Sequence, residues 1–295
     1  MTTPYVIGIG NAVMDVIAPT DEARLGALGV TKGIMQLIER DRSEYLMAAQ
    51  ADDHGPGRAQ ARLVPGGSVA NTLAGIGALG LKTAFIGRVA EDALGLSYAE
   101  QTEAAGTVFV NPPVAGDALP TSRSIILVTP DGERSMNTYL GISAELGPDD
   151  VNPSVFQGAG WLFLEGYLFD KPKGKEAFLK AADCCHKAGG QAGIALSDPF
   201  CVDRHREDFR RLVAGPMDYV IGNVHEWTSL YQTEDLEQAL ALARADCDTV
   251  ICTRSGEDAI LMAESEEQDA VIRKPNQIEA VMAEMQKRAP VFKDV

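Results

Sequence analysis

The sequence predicts an α/β protein: a doubly wound, mostly parallel sheet carrying a small antiparallel β lid. Three observations carry this. From residue 160 onward, short apolar runs alternate with helical patterns, as a parallel sheet with crossover helices reads. Between residues 107 and 140, strand-like runs follow one another through turns, with no helix between them. Pro65-Gly66-Gly67-Ser68 opens a segment whose Leu73, Ile76 and Leu79 share one helical face, so unpaired backbone N–H groups gather at a helix start.

The apolar run at 5–10 reads as a buried strand ending in Asn11. Its Gly8 and Gly10 invite a dinucleotide-binding reading, but the third glycine of that fingerprint would fall at Val13, so the spacing fails. Residues 30–38 read as a second strand, 41–51 as a helix, and 52–62, with Gly55-Pro56-Gly57, as an exposed loop. In the helix after Gly67, Asn71 lies one turn in on the side of the open N–H groups, while Gly75 and Gly77 suggest close approach of another backbone. A strand at 83–87 and a helix at 90–105 follow, the latter capped near Gly106. The strands at 107–110, 124–129 and 134–138, the last two joined through Pro130-Asp131-Gly132-Glu133, are assigned with 12–18 and 33–38 to the lid. In the second half, strands at 161–164, 192–196, 219–222 and 249–252 alternate with helices at 173–188, 204–213 and 234–245.

Composition narrows the function. The 295-residue chain can bury a full core, and its apolar and charged fractions, 45% and 23%, suit a globular protein. A net charge of −16 without a basic block argues against nucleic acid and anionic membranes as partners. No apolar run has membrane-spanning length, and the N-terminus does not read as a leader. Five cysteines without Cys-x-x-Cys spacing fit free thiols in a reducing cytoplasm, and the four histidines show no ligand spacing.

Ligands of such sheets bind beyond the carboxyl ends of the strands, where Asn11, Glu165, Asp198, Asn223 and Thr253 all fall. Five polar residues there point to a lined crevice. Asn11 and Asp15 suit recognition of vicinal hydroxyls; a turn asparagine and a capping aspartate would read the same. Asn223 and Glu226 could hold a hydrated Mg²⁺ or simply start a helix. Thr253-Arg254-Ser255-Gly256 suits phosphate oxygens.

Gly10-Asn11-Ala12-Val13-Met14-Asp15, Gly66-Gly67-Ser68-Val69-Ala70-Asn71, Gly132-Glu133-Arg134-Ser135, Asn223-Val224-His225-Glu226 and Thr253-Arg254-Ser255-Gly256, in that order, resemble the PfkB/ribokinase family of carbohydrate kinases, most closely its adenosine-kinase-type members. The resemblance covers residues 5–263 and implies a ribokinase-like domain over 1–275 with its lid from about 12–38 and 107–140. It implies ATP with Mg²⁺, and in some members a monovalent cation, acting on a sugar or nucleoside hydroxyl, and a homodimer formed through the lid. Carried over by position, Asn11, Asp15, Gly33, Gly66, Gly67, Ser68, Asn71 and Glu165 would meet the acceptor, with Arg134 reaching from the lid to the transferred phosphate. Asp198, Asn223, Glu226, Thr253 and Gly256 would serve ATP and Mg²⁺, the metal held indirectly.

One family segment is missing. An Asp-Thr-x-Gly-Ala-Gly-Asp run, supplying an anion hole and a general base, is expected after a strand near 269–272, but Lys274-Pro275-Asn276-Gln277 stands there and no glycine follows Gly256. An atypical amphipathic helix is expected over 276–295 in its place, through Ile278, Val281, Met282 and Met285. Loss of a base costs about 10²–10⁴ in rate. Asp258, Asp269 and Asp294 are candidates for a substitute carboxylate. Two readings follow: an active phosphotransferase, or a sugar- or nucleoside-binding protein that has lost turnover.

Overall fold

The structure, a computed structural model, describes residues 5–51, 61–116, 119–256 and 258–263. The chain runs β1 (Val6–Ile9), β2 (Val13–Pro19), α1 (Glu22–Leu28), β3 (Met35–Leu37), α2 (Arg40–Ala51), β4 (Arg62–Gly66), α3 (Ser68–Ala78), β5 (Thr83–Ile86), α4 (Ala93–Ala104), β6 (Thr107–Phe109), β7 (Ser122–Val128) and β8 (Arg134–Tyr139). It continues through β9 (Trp161–Glu165), α5 (Pro172–Lys187), β10 (Gln191–Ala195), α6 (Pro199–Val213), β11 (Tyr219–Asn223), α7 (Val224–Tyr231), α8 (Leu236–Asp246), β12 (Thr249–Thr253) and β13 (Ile260–Met262).

Among the described residues, eight strands form the main sheet in the order β13-β12-β11-β10-β9-β1-β5-β6. All its pairings are parallel except β12 with β13. Strand alternation sends Ile7 and Ile9 into a core shared with α5, α6, α7 and α8, and Val6, Phe85 and Phe163 into one shared with α3 and α4. Toward the β13 edge this second face is less covered: Tyr219, Ile221 and Ile251 are half-buried, whereas Val220, Val250 and Cys252 on the opposite face are buried. Tyr219 covers part of that face itself, since a Cβ at Gly193 would lie 2.2 Å from its ring.

The lid is a five-stranded sheet in the order β3-β8-β7-β2-β4. Its antiparallel pairs are β2–β4 and β7–β8; β2–β7 and β3–β8 are parallel. Its outer face is closed by α1 and α2, giving the lid its own apolar core of Leu25, Leu28, Leu46, Ile125 and Leu127.

Four expectations need correction. The strand at 107–110, assigned to the lid, is β6 and pairs with β5 at the edge of the main sheet, where the Thr83 and Thr107 hydroxyls bond at 2.8 Å. The strand expected over 30–38 shortens to Met35–Leu37 because Gly33 turns the chain with φ 75°. The lid also recruits β4, a segment not assigned to it from sequence. Finally, the close packing expected at Gly75 and Gly77 lies on the strand beneath the helix. A Cβ at Gly75 would meet nothing within 4 Å, whereas one at Gly8 or Gly10 would meet Val69 at 2.4 or 2.7 Å. Expectations for 264–295, including the atypical helix, Asp269 and Asp294, and for most of the 52–62 loop lie outside the described residues.

Candidate functional site

Between the lid's inner face and the carboxyl ends of β1, β9 and β10 lies a cleft of about 770 Å³. Its polar wall is formed by Asn11, Asp15, Gly67, Ser68, Asn71, Glu165 and Asp198, and its apolar wall includes Met35, Leu37, Met136, Leu140 and Phe200. Of the acceptor residues expected from sequence, the fold therefore brings together Asn11, Asp15, Gly67, Ser68, Asn71 and Glu165. Asp198, assigned to the donor side, joins them.

Gly66 and Gly67 carry the chain from β4 into α3. Gly67 sits at φ 98°, and a Cβ there would lie 2.4 Å from the Asn11 carbonyl oxygen; one at Gly66 would strike the Asp15 carboxyl at 2.5 Å. Only glycine lets this loop press against the two acceptor residues. Tyr98, fully buried between Phe85 and Phe109, supports the loop from below by donating to the Gly66 carbonyl at 2.9 Å.

The start of α3 differs from the open anion site expected of it. Gly67 supplies no side-chain cap; the cap comes from β9. Glu165, 1% exposed, accepts from the Asn11 backbone N–H at 2.6 Å, from Asn11 Nδ2 at 2.8 Å, from the Ser68 hydroxyl and from the Val69 N–H. Burial pushes its carboxyl up, and these donors pull it back. Asn11 thus spends its side-chain Nδ2 inside the protein, and exposed Ser68 turns its hydroxyl to Glu165.

Asp15 is the opposite case. Its carboxylate makes no hydrogen bond to a described residue, and burial raises it to about 6 although the Arg134 guanidinium pulls it down. A half-buried carboxylate with unused lone pairs beside exposed Asn71 has the chemistry to accept from hydroxyl donors.

Gly33 and Arg134 stand on the lid outside the cleft wall. The Gly33 N–H donates to Ser135 Oγ at 3.0 Å, and Arg134 is exposed. On the donor side, Asn223 and Glu226 form a reciprocal capping box. Glu226 Oε2 and Oε1 accept from Asn223 N and Nδ2, both at 2.8 Å, and the Glu226 N–H donates to Asn223 Oδ1 at 3.0 Å. Both carboxylate oxygens are engaged, so the pair fits a cation met through water and not one bound directly. No trio of acidic, histidine or cysteine side chains that could hold a metal is gathered among the described residues. Asp198 caps α6 through the Phe200 and Cys201 N–H groups. Thr253 and Gly256 are exposed at the end of β12, with Ser255 at φ 57° between them and the β12–β13 turn. Asp258 is exposed in that turn, away from the cleft.

Sequence reasoning missed Tyr98, Ser143 and the apolar wall. The wall had a legible signal: Met35 and Leu37, two apart on one strand, must share a face.

A family model, the pfkB family carbohydrate kinase, matches residues 35–281. The chain belongs to the pfkB family of carbohydrate kinases. Among solved structures, this pfkB chain is similar to a probable sugar kinase from Rhizobium etli, with 41% identity, a TM-score of 0.76, and coverage of 90% of this chain and 78% of that one. It is also similar to an adenosine kinase from Sinorhizobium meliloti, with 40% identity, a TM-score of 0.77, and coverage of 90% and 79%. Curated relatives include a 5-dehydro-2-deoxygluconokinase of Halalkalibacterium halodurans, 28% identical over 56% of this chain and 51% of the relative. A fructokinase of Klebsiella pneumoniae is 30% identical over 43% of this chain and 41% of its own length. The matched region thus spans about half of the first of these curated relatives and less of the second. No helix among the described residues is long and apolar enough to cross a membrane.

Proposed function

We propose that this pfkB chain phosphorylates a hydroxyl of a nucleoside, with ATP as donor. The observation that carries this reading is the pairing of Asp15, a carboxylate with no hydrogen-bond partner among the described residues, with an apolar wall of Met35, Leu37, Met136 and Phe200 in one cleft. The carboxylate and Asn71 suit the hydroxyls of a pentose. A free sugar would leave the apolar wall against water, whereas a purine or pyrimidine ring would cover it. The adenosine kinase with 40% identity supports the same choice. Phosphoryl transfer needs positioning and charge neutralisation, with little covalent work for the protein. Mg²⁺ bound with ATP would supply the neutralisation, meeting Asn223 and Glu226 through water.

The test is ADP formation from Mg·ATP with adenosine, ribose or fructose as acceptor. Turnover is expected with adenosine above the sugars and is expected to disappear in Asp15→Ala. The missing Asp-Thr-x-Gly-Ala-Gly-Asp run favours a second reading, a nucleoside-binding protein without turnover. Calorimetric binding of adenosine with no ADP formed would establish it over the first.

A further inference from the structure

The chain passes between body and lid four times. It leaves through residues 10–13, returns through 66–68, leaves again ahead of Ser122 and returns through the 3-10 turn Gly141–Glu145. Among the described residues, each passage places one polar side chain in a single network centred on buried Glu165. Asn11 Nδ2 and Ser68 Oγ donate to Glu165. With its Nδ2 so committed, Asn11 turns Oδ1 to Ser143 Oγ at 2.9 Å, and Ser143 Oγ lies 2.6 Å from Ser122 Oγ. Both hydroxyls also meet the Leu140 carbonyl, Ser143 Oγ at 2.8 Å. Each hydroxyl has one proton, and Asn11 Oδ1 is satisfied when the Ser143 proton points to it, leaving the Ser122 proton for Ser143 or Leu140. Asn11 then links the crossing at Ser143 to the buried carboxylate, and each bond polarises the next.

We propose that Glu165 is a positioning residue whose carboxylate, through Asn11, Ser143, Ser122 and Ser68, fixes the lid on the body at all four crossings. Its oxygens are taken by four internal donors, so it shapes the acceptor site without binding the acceptor. That acceptor role for the cleft rests on the proposed function; the fixing of the lid does not. A glutamine at 165 keeps the shape but turns an N–H group toward donors, which leaves at least one of them without an acceptor. An alanine at 143 removes the link between Ser122 and Asn11 while leaving every cleft-lining side chain in place.

Backbone hydrogen exchange on the intact chain reads this directly. Glu165→Gln and Ser143→Ala should each speed exchange across β7 and β8 by about tenfold or more, with β10, β11 and β12 unchanged. Ser143→Thr, which keeps the hydroxyl, should restore protection. Asp15→Asn, in the cleft but outside the network, should not speed lid exchange. Should Glu165→Gln not fold, Ser143→Ala and its threonine rescue carry the test. Unchanged lid exchange in Ser143→Ala, or an increase shared equally by β10–β12, overturns the proposal. Adenosine calorimetry on the same proteins separates the two readings. Wild type that binds no adenosine removes the nucleoside reading and leaves the exchange result standing. Adenosine that binds Glu165→Gln as well as wild type, while lid exchange rises, shows that the network holds the lid without shaping the site, and overturns that half of the proposal.

Discussion

Asp15→Asn should make the protein more stable while removing acceptor binding. Burial lifts this carboxyl from its ordinary 3.8 to about 6. The folded state therefore holds a proton that the unfolded chain has released, and stability falls as pH rises through that window. Below about 3.8 both states are protonated and nothing is lost; above about 6 the full penalty applies. A displacement of that size corresponds to about 3 kcal/mol, which partial exposure to solvent reduces to about 1–2 kcal/mol. Asparagine is neutral at every pH and escapes the penalty. Thermal unfolding of wild type and Asp15→Asn, compared near pH 4 and pH 7.5, checks this. The variant should unfold a few degrees higher at the upper pH, with the gap closing toward the lower. A variant equal to or less stable than wild type at pH 7.5 refutes the argument that this carboxylate is held ionised at a cost to the fold.

Gly67→Ala should cost at least about 2–4 kcal/mol or prevent folding, because φ 98° and a contact of 2.4 Å with the Asn11 carbonyl both oppose a side chain; a chemical-denaturation midpoint equal to wild type would contradict it. Trp227→Phe should lose about 2–3 kcal/mol, since the buried indole donates to the Ile251 carbonyl at 3.1 Å and its volume cannot be refilled; urea unfolding measures it, and a change below about 0.5 kcal/mol would count against it. Leu37→Ala should weaken nucleoside binding by about 1 kcal/mol, roughly fivefold, and leave any ribose binding unchanged. Calorimetry that finds equal losses for both ligands would remove the apolar wall from the recognition of the base.

The parts of the site legible in the sequence are those whose meaning is local. Strand ends announce themselves, so Asn11, Glu165, Asp198, Asn223 and Thr253 could be placed on one rim before any coordinates. The Gly66-Gly67 pair announced a tight entry to α3. What stayed hidden depends on partners distant in sequence. Glu165 caps α3 from 97 residues away, so the helix start looked open to a ligand when it was already filled. Gly75 and Gly77 drew attention because glycine is costly in a helix, but the tightest contacts are at Gly8 and Gly10, whose glycines read in the sequence only against a nucleotide fingerprint and not as room for Val69. Thr107–Phe109 joined the wrong sheet because a three-residue strand carries no signal of its neighbour. The Asn223–Glu226 spacing fits a capping box and a hydrated cation equally, and the structure shows the box.

The lid's private core has a consequence for the thermodynamics of ligand capture. Leu25, Leu28, Leu46, Ile125 and Leu127 pack among themselves and do not draw on the body. The lid therefore keeps its shape as a plate, held at its crossings to the body. Closing on a bound molecule leaves the internal order of its five strands untouched. Capture then costs far less than ordering a loop of the same length, and residues on the lid's cleft face can be exchanged to suit another ligand without disturbing the packing that keeps the plate stiff.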